Sequence, residues 1–407
     1  MKGQKWISLL LIWVFLGSNS SSTSEKNYEV IPPIFPGVNW EIKTPSDVGM
    51  DAEKLDQIQD YMGGWGVIVR HGYLIKSWGD ASKRWDIASA AKPFYSHFLS
   101  IAVEEDKLAS FDEKASDYKA CLNEINSHLG YKDIDITFRH MANQISAYGV
   151  SEEPGTAFNY NDWQMALFWD TLFIEVFGAS YENVDDMIFD PYLNDNLQMQ
   201  DDPTMIAFGV DDRPGRVAIS VRDLARFGLL YLKDGNWDGK QLISQEHVEI
   251  ITSCPIPNSI PRTEAKEAEM CAGQRSHGSL RIPDDQFNHD GSYSWLWWIN
   301  GVNENGNRKW PDGPFDTFAA LGHASKRGLA VIPSLDVVIA WNETNLDQKP
   351  MDPHPLNEVL KLIQESVSSL PISLFPIQRK PQSSGNISTD ICSSDLPHRI
   401  SLPLLLR

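Results

Sequence analysis

Strand-forming sequence sits at both ends of this chain, and a helical stretch separates the two groups. Trp65 to Arg70 and Tyr73 to Trp78 flank His71-Gly72 and read as a β-hairpin. Far downstream, Ser294 to Asn300, Leu329 to Ile332 and Val337 to Asn342 are rich in β-branched and aromatic residues and read as further strands. Between them lie helix candidates at Phe94 to Glu105, Thr137 to Gln144 and Trp163 to Phe177. A fourth starts at Ser220, where Ser220-Val221-Arg222-Asp223 has the form of a capping box, and stops near Gly235. Asp51 to Met62 reads as a helix, as does Pro355 to Leu370, with Leu356, Val359, Leu360, Ile363 and Val367 on one face. The expected fold is α/β (α+β): an antiparallel sheet flanked by helices and assembled from both ends, with a mainly helical insertion at about 109–288.

The chain has 407 residues, and its 35 Lys+Arg against 55 Asp+Glu give a net charge of −20. Such a field repels phosphate backbones and anionic lipid, so nucleic acid is not an expected partner. With 42% hydrophobic and 22% charged residues, the composition is that of a globular chain rather than an acidic disordered one.

Met1-Lys2-Gly3-Gln4-Lys5 is basic, Trp6 to Gly17 is almost wholly apolar, and Ser18 to Ser24 is polar. This is the layout of a secretory signal over 1–23, too short in its apolar part to span a bilayer, and it implies a periplasmic or secreted protein with no stable membrane span after processing. Export would permit disulfides, and a Cys254–Cys271 bridge across a polar stretch is one pairing this allows, with the bridged and unbridged readings both open. The folded body runs over 24–370. The tail 371–407 is Pro- and Ser-rich without amphipathic period, and Cys392-Ser393-Ser394-Asp395-Leu396 resembles a translated adapter sequence, which leaves Cys392 out of the argument.

Among chemical motifs, the chain has no G-x-S-x-G elbow, no phosphate-binding G-x-x-x-x-G-K-[ST] loop and no His pair at metal-ligand spacing, so neither a metal nor a cofactor is implied. It does have Ser89-Ala90-Ala91-Lys92 at the mouth of a helix. Residues three apart share a helix face, so the Lys92 ammonium can reach the Ser89 hydroxyl. A serine is a weak nucleophile until a base takes its proton, and lysine is that base only if its pKa falls well below ~10.4. Pro93 cannot donate a backbone hydrogen bond, so Ser89 is expected at the positive end of the helix with its amide free for an oxyanion.

Downstream, Pro154-Gly155-Thr156-Ala157-Phe158-Asn159-Tyr160-Asn161-Asp162 resembles the P-G-x-x-F-x-Y-S-N segment of the β-lactamase-related serine hydrolases, the group of class C β-lactamases, D,D-peptidases and related esterases. Ile136 to His140 and Ile145 to Tyr148, Gly215 to Leu242, Phe318 to Ser325 and Val331 to Asp336 resemble other parts of the same family in the same order. The resemblance implies Ser89 as the acylated nucleophile, Lys92 as its base partner and Tyr160 as a proton relay to the leaving group. It puts His323 at the third-motif position held by Lys in β-lactamases, next to Ser325, with the amides of Ser89 and Lys326 as oxyanion donors.

Two departures stand out. Asp162 replaces the usual Asn and brings a negative charge that would raise the lysine pKa and favour Tyr160 as base. Ala324-Ser325 replaces a pair of glycines. Trp295, Trp297 and Trp298 alternate along an expected strand, which would turn one or two indoles towards the site. The expected function is an exported serine hydrolase acting on an ester or amide in a small-molecule or peptide substrate. The rival readings are a penicillin-interactive D,D-peptidase or β-lactamase, and an inactive peptidoglycan-binding relative.

Overall fold

The computed structural model describes residues 34–208, 212–274, 281–349 and 354–367. The expected signal segment, the tail and Cys392 lie outside these residues. The strands are β1 (Trp65–Arg70), β2 (Tyr73–Trp78), β3 (Trp85–Asp86), β4 (Thr204–Ile206), β5 (Arg216–Ile219), β6 (Asn236–Trp237), β7 (Lys240–Gln241), β8 (Tyr293–Ser294), β9 (Trp297–Ile299), β10 (Phe318–Gly322), β11 (Arg327–Ile332) and β12 (Val337–Asn342). The helices are α1 (Ala52–Met62), α2 (Lys92–Glu104), α3 (Phe138–Ala142), α4 (Asp162–Trp169), α5 (Asp195–Leu197), α6 (Val221–Leu232), α7 (Gln245–Ser253) and α8 (Pro355–Ser366).

The main sheet has seven strands in the order β2-β1-β12-β11-β10-β9-β8, every neighbour antiparallel. The first strand therefore pairs with the last, Trp65 opposite Asn342 through to Arg70 opposite Val337. All six residues of β12 are buried, as the apolar run in its sequence requires of a strand covered on both faces. Helix α6 packs across β1, β11 and β12. Its approach is so close that a Cβ at Gly228 would sit 2.7 Å from side-chain carbons of both Leu329 and Val338. α1 and α8 pack against one another.

The capping expectation at α6 holds only in half. The Ser220 hydroxyl accepts from the Asp223 amide at 3.1 Å, but the buried Asp223 carboxylate turns away from the cap and accepts from the amides of Gln200 and Asp201, both at 2.8 Å. The strand expected over Ser294 to Asn300 is also broken. Trp295 and Leu296 both have positive φ, 48° and 71°, and turn the chain back from β8 into β9, the backbone signature of a tight hairpin. Helix α4 is shorter than the sequence suggests and widens at Asp170–Val176 into a π-type segment. The Cys254–Cys271 pairing gives way to Cys121–Cys271, which spans 150 residues and ties the start of the helical stretch to its end. Closing so long a loop stabilises a fold by about 2–4 kcal/mol.

At the sheet end away from α2, Asp336 in the β11–β12 turn receives His71 at 2.8 Å and Lys233 at 2.6 Å. Burial by itself would raise its carboxyl, but these two partners bring it down from 3.8 to about 2. A depressed carboxylate contributes stability above its unfolded pKa and loses it as pH falls towards the folded one. Asp336→Asn should therefore cost about 2 kcal/mol at pH 7, and the deficit should shrink to about half by pH 3. Urea unfolding of both proteins across that range checks it.

Candidate active site

Ser89 lies in the turn Ala88–Ala91, which leads directly into α2. The residue before it, Ala88, is held at φ 51°, a left-handed conformation that costs a non-glycine residue energy. Its amide donates to Asp86 Oδ1 at 2.7 Å, and Asp86 is itself gripped by Arg216 at 2.9 Å and Arg327 at 3.0 Å. Asp86 thus fixes the elbow that presents Ser89. The end of β10 closes on the same elbow, since a Cβ at Gly322 would stand 2.3 Å from Ile87 O and 3.2 Å from Ser89 N. Only glycine fits there.

Lys92 Nζ is 3.0 Å from Ser89 Oγ and 3.4 Å from Asp162 Oδ1, and it lies 4.5 Å from the centre of the Tyr160 ring. Asp162 reaches it from the first residue of α4, whose N-cap is the Asn161 side chain. Lys92 is 6% exposed. Burial favours its neutral form, but the Tyr160 oxygen and the Asp162 carboxylate outweigh burial and hold the ammonium above the ordinary lysine range. Ser89, Lys92, Tyr160 and Asp162 therefore form one cluster, centred on a charged lysine.

Tyr160 leans on an aromatic wall, with Phe287 at 5.0 Å, Tyr293 at 5.9 Å and Trp298 stacked at 6.2 Å. Of the three tryptophans singled out, Trp298 faces Tyr160. Trp297 packs into the core on Tyr231 and Phe318, and Trp295 lies against Phe111.

The third-motif residues are placed differently from expectation. β10 ends at Gly322, and His323, Ala324 and Ser325 all take positive φ, at 50°, 50° and 70°, in the turn to β11. The turn needs left-handed residues where the family's glycines would be unstrained. His323 is exposed. The Lys326 amide, expected as an oxyanion donor, donates to His323 O at 3.1 Å within the turn. Ser325 is buried, and its carbonyl accepts from Trp341 Nε1 at 2.8 Å. The Lys326 ammonium pairs with Glu343 at 3.3 Å, and Arg327 pairs with the same carboxylate at 2.7 Å. These cations are spent on Glu343 and Asp86.

A cavity open to solvent begins at Ser89, Lys92 and Asp162. Tyr95, Met165, Phe208, Arg213 and Arg216 add to its lining. Asp86, Arg213 and Arg216 went unnoticed in the sequence, where no motif or spacing marks them. No group of His, Cys, Asp and Glu among the described residues could hold a metal ion, and no helix among them is long and apolar enough to cross a membrane.

No protein-family model matches the sequence, and no curated protein matches it significantly. Solved structures do match the fold. A protein from Bacteroides dorei DSM 17855, described as a candidate beta-lactamase, superposes with TM-score 0.56 at 15% identity, over 78% of this chain and 99% of its own. EstCE1, a hydrolase with promiscuous acyltransferase activity, gives 0.54 at 11% identity, over 78% and 99%. A candidate 6-aminohexanoate-dimer hydrolase from Bacillus anthracis gives 0.53 at 16%, over 82% and 87%. With its antiparallel sheet, its flanking helices and the S-x-x-K serine at the head of α2, the chain has the fold of the β-lactamase-related serine hydrolases.

Proposed function

We propose that this protein is an exported serine hydrolase that cleaves an ester or amide bond through an acyl-Ser89 intermediate. The observation that carries the reading is the 3.0 Å contact between the buried Lys92 ammonium and Ser89 Oγ, made beside Tyr160 and at the opening of a cavity. Because Asp162 and Tyr160 keep Lys92 charged, Lys92 acts as a fixed cation. In this arrangement the Tyr160 oxygen takes the Ser89 proton and passes it to the leaving group. The Ser89 amide, at the opening turn of the helix, supplies one oxyanion donor. Water then attacks the acyl-enzyme, with Tyr160 accepting its proton, and the acid leaves.

The preference we assign is for esters over β-lactams. A β-lactam's carboxylate is best met by a fixed cation at the third motif, and here that position is His323, exposed in a turn, while Lys326 and Arg327 are neutralised by Glu343. Side chains at Ala324 and Ser325 also take space that glycines would leave. The kcat/KM for a short aryl ester should exceed that for a chromogenic cephalosporin by about ten-fold or more. A cephalosporin value equal to or above the ester value, on the same preparation, would transfer the reading to a β-lactamase or D,D-peptidase.

A further inference from the structure

The cavity at Ser89 holds a cation that the mechanism above does not use. Arg213 is 3% exposed. Its Nε and Nη2 bind Asp170 at 2.8 and 3.1 Å, and Nη2 also reaches Gly273 O at 3.1 Å. Nη1 is buried with no acceptor among the described residues. An arginine has five N–H donors and no means of losing its charge, so leaving one nitrogen buried and unbonded is costly unless something fills the place.

The charges around it leave room for an anion. Asp170 is shared, because Lys119 stands 3.6 Å away and Gln274 Nε2 also donates to it. Lys119 has a second carboxylate in Glu175 at 4.0 Å, and Arg327 has one in Glu343, whereas among the described residues Arg213 pairs with Asp170 alone. Arg216, on the same cavity, is stacked 3.6 Å over Phe208 and shares Asp86 with Arg327. Asp162, the carboxylate in the lining, is occupied by Lys92. Tyr95, whose hydroxyl donates to Gly215 O at 2.9 Å, lines the same cavity as Arg213, Arg216 and Asp162. Among the lining residues the cations Lys92, Arg213 and Arg216 stand against Asp162 alone, whereas the chain as a whole carries −20.

The side of the site matters. Tyr160 passes its proton to the leaving group and takes no part in the cavity lining, so what enters the cavity is the acyl half of the substrate. The walls of Tyr95, Met165 and Phe208 suit methylene groups. Resting on the acyl-Ser89 reading, we propose that this cavity is an acyl pocket for substrates whose acyl chain ends in a carboxylate, that is, monoesters or monoamides of short dicarboxylic acids, with Arg213 Nη1 holding the free carboxylate. In the ester case Ser89 Oγ bonds to the carbonyl carbon, the bond to the alcohol oxygen breaks, and the alcohol leaves with the Ser89 proton. Water then adds to the carbonyl, returns a proton to Ser89 and releases the dicarboxylic acid.

The test compares monoethyl succinate, glutarate and adipate with ethyl butanoate, pentanoate and hexanoate, followed by proton NMR. At the best-fitting length the charged ester should have the larger kcat/KM, by about ten-fold or more, and that ratio should collapse in Arg213→Gln paired with Asp170→Asn, which removes both charges together. Preference for the neutral esters, or an unchanged ratio in a folded double variant, would overturn the pocket. If the variant does not fold, the wild type decides: glutarate, but not pentanoate, should slow labelling of Ser89 by a fluorophosphonate, and equal effects of the two would overturn the proposal. If Ser89 is neither labelled nor active on any ester, the hydrolase reading fails on its own. Calorimetry with glutarate against pentanoate then still judges the pocket, with selective glutarate binding supporting it and none refuting it.

Discussion

Ser89→Ala should lower kcat/KM on the best ester by at least about 10³-fold while leaving the melting temperature within a degree or two of the wild type. The magnitude follows from the chemistry: without Oγ there is nothing to acylate, and residual turnover comes only from binding and the oxyanion donor. The fold should survive because what shapes the elbow is elsewhere. The Asp86 carboxylate holds the Ala88 amide, Gly322 packs against Ile87 O, and the Ser89 hydroxyl contributes only its contact with Lys92. A variant that kept its rate would remove the covalent mechanism, and one that unfolded would make Ser89 a structural residue.

Tyr160→Phe should reduce kcat by about 10²-fold or more, with KM changed far less. Phenylalanine keeps the ring that Lys92 faces and that stacks on Trp298, so packing is retained and only the oxygen is lost. The size of the effect depends on which group is the base. With Lys92 held above the ordinary lysine range by Tyr160 and Asp162, its ammonium stays charged through neutral pH, and the phenolic oxygen has the proton-moving role to itself. The same reasoning predicts no inflection from Lys92 in the pH-rate profile below about pH 10. Normal turnover per folded molecule in the Phe variant would make Tyr160 a core residue and return the base to Lys92.

The parts of this molecule that could be read from sequence are those governed by local rules. His71-Gly72 shows in the chain because Gly72, at φ 84°, tolerates a left-handed turn, and the hairpin around it follows. Ser89 and Lys92 show because three residues along a helix bring side chains together. The β8–β9 turn stayed hidden because Trp295 and Leu296 occupy left-handed positions that sequence rules reserve for Gly and Asn. There, burial of the indole against Phe111 overrides backbone preference. The turn at His323 to Ser325 is a second case.

Ion pairs were illegible for another reason. Arg213 and Asp170 are 43 residues apart, Arg216 and Asp86 are 130 apart, and Cys121 and Cys271 are 150 apart. No periodicity links such positions; only the closed fold does. The proposed acyl pocket is built from these long-range pairs, which is why the Ser89–Lys92 contact could be read from the chain and the pocket beside it could not.

In the proposed mechanism Ser89 forms the covalent bond to substrate, and reacting the protein with a fluorophosphonate, digesting it and locating the modified residue by mass spectrometry tests that bond. The account predicts a single adduct on the peptide carrying Ser89, absent in Ser89→Ala and slowed in Tyr160→Phe. An adduct on another residue, or none from an enzyme that still hydrolyses esters, would contradict it.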